Sequence, residues 1–260
     1  MLLVAAAGPS SHTNLAAIPI ARNDLPWWKS RHEAVLERLR HGKVDLIWLG
    51  DSITQNWERS GPPDWAEFQP VWQHFYGDRN AVNMGFTGDT TASLIWRIRN
   101  GEVAGIAPEA AIILIGANNL GRLHWSAEDT LAGIETILAD LRKRLPTTKL
   151  LLIGVLPSDR TAWASETTVT INNALKARYG HGGDVAYVDP APVFVRNGRL
   201  DHSLYYDPLK SPPGAALHPT AVGMGRLAEA IEPTLAGLMG DKAKQEARRG
   251  QPRSPLRASP

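Results

Sequence analysis

Five short apolar runs, each followed within a few residues by glycine, proline or aspartate, constrain the fold of this 260-residue chain most strongly. They lie near residues 44–49, 80–84, 110–115, 149–155 and 185–188. Runs of this length are typical of strands that are buried on both faces, whereas buried helices are longer. The pattern therefore predicts a covered parallel sheet of about five strands.

Longer segments with helical spacing of apolar residues alternate with these runs. They lie near residues 27–41, 92–100, 127–144, 167–179 and 221–239. Strands that alternate with helices predict an α/β fold: a three-layer sandwich around a doubly wound parallel sheet. We expect one domain over residues 25–239, a flexible N-terminal lead over 1–24 and a basic, disordered tail over 240–260. Functional loops of such folds cluster at the carboxyl ends of the strands.

Charge and composition exclude several function classes. The net charge is +2, and residues 241–260 alone hold six Lys/Arg against two Asp/Glu, so the folded body has no nucleic-acid footprint. The chain has no cysteine, which excludes disulfides, cysteine-ligated zinc and a cysteine nucleophile. No apolar run approaches the roughly 18 residues of a membrane span. The start, residues 1–7, resembles a signal-peptide core but lacks a preceding positive charge, so export and retention both stay open. The sequence also leaves the oligomeric state open.

A candidate nucleophile follows the first strand. Ser52 lies in Gly50-Asp51-Ser52, at the point where the apolar run stops. A strand end exposes a serine hydroxyl and lets a following helix start point N–H groups toward it, but the hydroxyl needs a base to become nucleophilic. Taken alone, a helix-capping serine explains this motif equally well.

Two further strand ends carry candidate oxyanion donors. Gly88 follows the second strand in a loop with two glycines, where a backbone N–H could approach a ligand closely. Asn118 follows the third strand and offers a neutral NH₂ group. Each of these segments is also compatible with an ordinary turn.

A candidate general base precedes the last helix. His218 lies in Leu217-His218-Pro219-Thr220, where Pro219 and Thr220 are helix-start signals. An imidazole there could take the proton of Ser52. Seven other histidines weaken this signal when it is considered alone.

The order and spacing of these four segments resemble the SGNH/GDSL hydrolase superfamily over about residues 40–235. The segment 91–98 resembles the branch that contains the platelet-activating-factor acetylhydrolase subunits. The resemblance implies a flavodoxin-like SGNH hydrolase fold and a serine esterase that needs no metal or other cofactor. It implies Ser52 as nucleophile, His218 as base, and an oxyanion hole formed by Ser52, Gly88 and Asn118.

One position departs from the family pattern. The superfamily usually has an aspartate three residues before the histidine, where this chain has Ala215. A carboxylate normally fixes the imidazole tautomer and stabilises its cation. The site is therefore either a Ser–His dyad or a triad with a substitute acid, unless the chain is a weak or inactive relative of the family. Asp207, just upstream of an apparent insertion, is the first candidate for that acid, and Asp201 is the second.

The expected substrate is a short-chain ester, with acetyl as the preferred acyl group and a small molecule or a carbohydrate as the alcohol. Several tryptophans near the candidate loops could stack on sugar rings or could simply fill the core: Trp57, Trp65, Trp72, Trp96 and Trp125. An acyltransferase that uses the same acyl-enzyme is an alternative. A carbohydrate-binding relative with little or no activity is a second alternative, motivated by Ala215. A nucleotide-binding protein is disfavoured because the loop at Gly88 lacks a following Gly-Lys-Ser/Thr.

Overall fold

The five apolar runs form one parallel sheet, as the sequence predicts. The computed structural model describes residues 13–245, and the sheet has the strand order β2-β1-β3-β4-β5. The strands are β1 Leu46–Gly50, β2 Ala81–Gly85, β3 Ala110–Leu114, β4 Lys149–Ile153 and β5 Val185–Val188. The chain passes from β1 to β2 on one side and then crosses to β3 on the other. The carboxyl ends of β1 and β3 therefore flank a topological switch point, where sheets of this kind bind ligands.

Helices cover both faces of the sheet, which confirms the three-layer α/β architecture. The α-helices of the described residues are α1 Pro26–Arg40, α2 Ser52–Gln55, α3 Gln69–Tyr76, α4 Thr91–Arg97, α5 Ala117–Gly121, α6 Ala127–Arg144, α7 Ala162–Tyr179, α8 Ala191–Phe194 and α9 Ala221–Met239. Alternate strand residues point to opposite faces. Ile47 and Leu49 of β1 pack with α1, α4, α6 and α7, whereas Leu46 and Trp48 pack with α3, α8 and α9.

Several boundaries differ from the sequence prediction. Helix α7 begins five residues earlier than expected because the Thr161 side chain accepts a hydrogen bond from the Ala164 N–H and caps it. The α-helix expected over 92–100 ends at Arg97 and continues as a π-helical turn, Ile98–Glu102. Helix α3 and the small antiparallel pair β6 Val195–Arg196 and β7 Arg199–Leu200 were not predicted.

The described part of the expected flexible lead contacts the domain. Residues 15–17 form a 3₁₀ helix with Ala16 fully buried, and the Thr91 hydroxyl donates to the Ala16 carbonyl at 2.8 Å. A side chain at Gly133 would approach that carbonyl to 2.5 Å, so the glycine is what lets the lead lie against α6. Residues 1–12 lie outside the described residues.

The first residues of the expected basic tail are also held against the domain. Arg79 binds Asp241, and the Lys244 N–H donates to Glu232 at 2.9 Å. The expected disorder of the tail stays a prediction, and residues 246–260 lie outside the described residues. None of the helices within residues 13–245 is long and apolar enough to cross a membrane.

Candidate active site

Ser52 lies where the end of β1 turns directly into α2. Asp51 caps this helix by accepting a hydrogen bond from the Ile53 N–H at 2.9 Å. Ser52 is the first helical residue, and N–H groups in a first turn lack intrahelical acceptors. The local sequence therefore fixes both the position of the hydroxyl and the direction of the neighbouring N–H groups.

His218 and Asp207 are brought together by two chain segments that run antiparallel beside the sheet. The Tyr206 N–H donates to the His218 carbonyl at 3.0 Å, and the Thr220 N–H donates to the Leu204 carbonyl at 2.8 Å. The intervening segment 208–216 closes as a loop, since the Gly214 N–H donates to the Asp207 carbonyl at 2.9 Å. The apparent insertion around Ala215 is therefore the loop that separates Asp207 from His218 in sequence.

The side chains of Ser52, His218 and Asp207 form a continuous chain of hydrogen bonds. Ser52 Oγ lies 3.0 Å from His218 Nε2, and His218 Nδ1 lies 2.9 Å from Asp207 Oδ1. With the Nδ1 proton directed at the carboxylate, Nε2 is free to accept the serine proton. Asp201, the other candidate acid, instead caps the 3₁₀ helix of residues 202–204.

Asp207 is held in its ionised form. Burial by itself raises its pKa, but hydrogen bonds from the His218 ring and from the Leu217 and His218 N–H groups, together with the imidazolium charge, outweigh burial. The pKa of the Asp207 carboxyl therefore lies well below its usual range. A permanently charged carboxylate is what an imidazolium needs as a partner.

An aromatic residue that the sequence analysis missed lies on the imidazole. The Tyr206 ring stacks on His218 with centroids 5.3 Å apart and planes 8° apart. Trp65 also stacks on Tyr206, with ring centroids 4.8 Å apart. The Tyr206 hydroxyl accepts hydrogen bonds from Asn56 and Arg59, at 2.9 and 3.0 Å. The imidazole plane is thus fixed by stacking as well as by Asp207.

Most of the tryptophans singled out from the sequence belong to the core. Trp57 is buried against Trp48 and Tyr76, and Trp72 packs against both Trp57 and Tyr76. Trp96 packs against Trp28 on the other face of the sheet. Trp65 is the one of the five that takes part in the stack next to His218.

The candidate oxyanion residues come from two neighbouring loops at the same edge of the sheet. Gly88 adopts φ = +77°, a conformation that favours glycine. Asn118 Nδ2 donates to the Asp89 carbonyl at 3.0 Å and lies 3.5 Å from Asp51 Oδ2. The second contact is long for a hydrogen bond, so one amide N–H of Asn118 remains available to a ligand.

A buried ionic network holds the Gly88 loop through Asp89, the next residue in the chain. Asp89 is fully buried and accepts hydrogen bonds from Trp28 Nε1 at 2.7 Å, Arg22 at 2.9 Å and Arg97 Nε at 2.8 Å. Arg97 also binds Glu102 and donates to the Gly50 carbonyl at 3.1 Å. Sequence periodicity gave no sign of this network, which links β1, the Gly88 loop and the π-helical turn.

Asp51 is a second buried acid at this edge. Burial raises its pKa to about 6, against the opposing effects of the Ile53 N–H and the charge of His218. The exposed fraction of Asp51 is only 1%. This carboxyl therefore changes its ionisation near neutral pH, beside the candidate nucleophile.

Comparisons with known proteins show what this chain is similar to. The sequence model of the GDSL-like lipase/acylhydrolase family matches residues 48–226. Platelet-activating factor acetylhydrolase IB subunit alpha2 of Gallus gallus is 27% identical over 208 residues, covering 78% of this chain and 86% of that protein.

Solved structures share the fold at low sequence identity. A GDSL-like lipase from Bacteroides thetaiotaomicron superimposes with a TM-score of 0.57 at 17% identity, covering 80% of this chain and 97% of that one. A carbohydrate acetylesterase family member from Sinorhizobium meliloti superimposes with a TM-score of 0.56 at 16% identity, covering 76% and 100%.

Proposed function

Because this chain belongs to the GDSL-like lipase/acylhydrolase family and is a hydrolase that acts on esters, we propose that it cleaves short-chain acyl esters through an acyl-enzyme on Ser52. The proposal is carried by one observation, the hydrogen-bond chain from Ser52 Oγ through His218 to Asp207, with links of 3.0 and 2.9 Å. A serine hydroxyl acts as a nucleophile when such a base stands ready to take its proton.

In the first half-reaction, Ser52 Oγ attacks the ester carbonyl carbon while His218 Nε2 takes the hydroxyl proton. The Oγ–C bond forms and the carbonyl π electrons move to oxygen. His218 then returns the proton to the leaving alkoxide as the C–O bond breaks. Asp207 stabilises the imidazolium present between these steps.

In the second half-reaction, water attacks the acyl-enzyme and His218 takes its proton. The carboxylic acid leaves as Ser52 recovers its hydrogen. The developing oxyanion receives hydrogen bonds from the Ser52 N–H, the Gly88 N–H and the Asn118 amide. One such donor typically lowers the barrier by about 2.7–4 kcal/mol.

We propose an acetyl ester of a carbohydrate as the substrate class. Trp65, in the stack beside His218, offers a partly exposed aromatic surface close to the site. Two proteins of similar fold are a carbohydrate acetylesterase family member from Sinorhizobium meliloti and an acetyl-xylooligosaccharide esterase from Geobacillus. The rival of a pure binding protein rested on Ala215, and the distance of 2.9 Å between Asp207 Oδ1 and His218 Nδ1 supports the esterase instead.

The direct test is hydrolysis of 4-nitrophenyl acetate by wild type, Ser52→Ala and His218→Ala. We expect both variants to lose activity by several orders of magnitude while their thermal melting curves stay close to wild type. Equal rates in all three proteins would contradict the mechanism. The substrate class is tested separately with acetyl, butyryl and octanoyl esters and acetylated xylose, for which we expect kcat/KM to fall as the acyl chain lengthens.

A further inference from the structure

A cavity of about 420 Å³ lies on the Asp207 side of the imidazole. Asp207 and Leu217 form the wall next to His218, and Gly121 and Arg160 form the wall next to the Asn118 loop. We call this space the Arg160 cavity. It therefore lies between two of the segments that carry the proposed catalytic groups.

The segment in which the sequence departs from its family forms another wall of the Arg160 cavity. Pro212, Gly214 and Ala215 all line it, as does Lys210. The excursion between Asp207 and His218 therefore shapes a space beside the reacting groups. This gives the insertion a role that the triad itself leaves unexplained.

Positively charged side chains outnumber negatively charged ones around the Arg160 cavity, with Arg160 and Lys210 against Asp207. The Arg160 guanidinium donates to two backbone carbonyls, those of Gly121 at 2.9 Å and Ala117 at 3.4 Å. Among residues 13–245, no carboxylate forms an ion pair with Arg160. Lys210 Nζ lies 3.2 Å from Asp207, whose carboxylate is already bound by the imidazole and two N–H groups.

A second guanidinium belongs to Arg122, which directly follows Gly121, the residue whose carbonyl accepts a hydrogen bond from Arg160. Arg122 donates to the Gly88 carbonyl at 3.3 Å, and it too has no carboxylate partner among the described residues. Burial, followed by repulsion from Arg122, lowers the pKa of Arg160. The charges of Asp51 and Asp207 act on Arg160 in the opposite sense, but neither carboxylate is salt-bridged to it among the described residues, so the guanidinium can still take an anion through paired hydrogen bonds.

We propose that the Arg160 cavity binds an anionic group of the substrate, a carboxylate or a phosphate, so that the preferred ester is an acidic one. The assignment rests on the proposed function for the position of the scissile ester. Arg160 and Lys210 contact the anion, and Arg122 adds to the positive potential at the entrance. The anion relieves the repulsion between the guanidinium groups and holds the ester carbonyl near Ser52.

The test uses three acetyl esters with closely similar phenolic leaving groups: 3-(4-acetoxyphenyl)propanoate, its neutral amide, and 2-(4-acetoxyphenyl)ethyl phosphate. Binding is measured by calorimetry on Ser52→Ala, which removes the nucleophile. We expect at least one anionic ester to bind about tenfold or more tightly than the amide, equivalent to about 1.4 kcal/mol. The ranking of the two anionic esters distinguishes a carboxylate site from a phosphate site.

Charge-removing variants localise the effect. In the Ser52→Ala background, Arg160→Gln and Lys210→Gln should each reduce the anionic preference, and added salt should weaken it because the groups are partly exposed. Lys210→Gln is informative on its own, since Arg160 also supports the loop at Ala117 and Gly121. Arg40→Gln is the matched control, because Arg40 is exposed at the end of α1, at the opposite edge of the sheet, and pairs with Glu37.

Equal affinity for all three esters, or an anionic preference that both cavity variants retain in full, overturns the proposal. Hydrolysis of the same esters by protein with Ser52 intact separates the two claims. Selective binding without hydrolysis supports the anion site and rejects the proposed function. Hydrolysis with equal affinities rejects the anion site and leaves the proposed function standing.

Discussion

Asp207 Oδ1 lies 2.9 Å from His218 Nδ1 although the two residues are eleven positions apart in sequence. Hydrogen bonds between the segments 204–206 and 218–220 place them side by side. In the proposed triad the acid therefore lies directly before the loop 208–216, whereas the family pattern places it three residues before the histidine. The same carboxylate binds the backbone of His218, which couples the position of the ring to that of its partner.

We predict that Asp207→Asn lowers kcat for acetyl ester hydrolysis by about 10²–10⁴, as expected when the tautomer and charge of a catalytic histidine are no longer controlled. Asp201→Asn is the matched control, because Asp201 caps a short helix and lies in the same region of the chain. Steady-state kinetics on both variants gives the comparison. Equal losses in the two variants would show that Asp207 has no special role.

We predict opposite phenotypes for two adjacent asparagines. Asn118→Ala should lower kcat by about 10²–10³ with little change in KM, because it removes a donor to the oxyanion. Asn119 binds the Thr91 N–H and hydroxyl and is fully buried, so Asn119→Ala should mainly lower the melting temperature. Kinetics per folded molecule and thermal unfolding distinguish the two. A full kcat for Asn118→Ala would remove it from the oxyanion hole.

The raised pKa of Asp51 predicts that the free energy of unfolding depends on pH. Its pKa of about 6 in the folded protein exceeds the unfolded value of about 3.9, so its contribution is present at low pH and is lost as pH rises through about 6. Relative to Asp51→Asn, which can still cap α2, the wild type should lose about 2 kcal/mol of unfolding free energy between pH 4 and pH 7.5.

Urea unfolding at several pH values measures this difference. Asp45→Asn is a control for which the pH dependence of stability should have the opposite sign. Hydrogen bonds from Asn80 and Lys43 outweigh burial and lower the pKa of Asp45, so its contribution to stability is lost as the pH falls. A difference between wild type and Asp51→Asn that does not change with pH would contradict the assignment of a buried, titrating Asp51.

The buried network below the Gly88 loop should be a major source of stability. Arg97→Met removes the buried guanidinium that pairs with both Asp89 and Glu102, so that Asp89 keeps only Trp28 and Arg22, and Glu102 only His32. This change should destabilise the protein by about 3–5 kcal/mol. For a domain of this size this lowers the melting temperature by roughly 6–20 °C. Arg40→Met removes an exposed pair with Glu37 and should change stability by less than about 1 kcal/mol. Similar melting temperatures for the two variants would contradict a structural role of the network.

The sheet and the segments that carry Ser52, Gly88, Asn118 and His218 could be predicted because their signals are local. An apolar run followed by glycine marks a strand end, and the parallel topology then gathers those ends at one edge. The expectation of about five strands is confirmed by the sheet. The catalytic roles of the residues remain proposals that the geometry supports.

Features that depend on contacts between distant segments were harder to predict. Asp207 was only one of two candidate acids, because the pairing of residues 204–206 with 218–220 is made by backbone groups that leave no side-chain signature. The network of Arg97 joins residues from three separate segments. The docking of Ala16 depends on the absence of a side chain at Gly133, which no periodicity reports.

The most direct test of the central claim is covalent labelling by a fluorophosphonate, followed by mass spectrometry to identify the modified residue. We predict phosphonylation of Ser52 in the wild type, a much slower reaction in His218→Ala, and none at position 52 in Ser52→Ala. A folded wild-type protein that leaves Ser52 unlabelled, or labels equally fast without His218, would contradict an activated serine nucleophile.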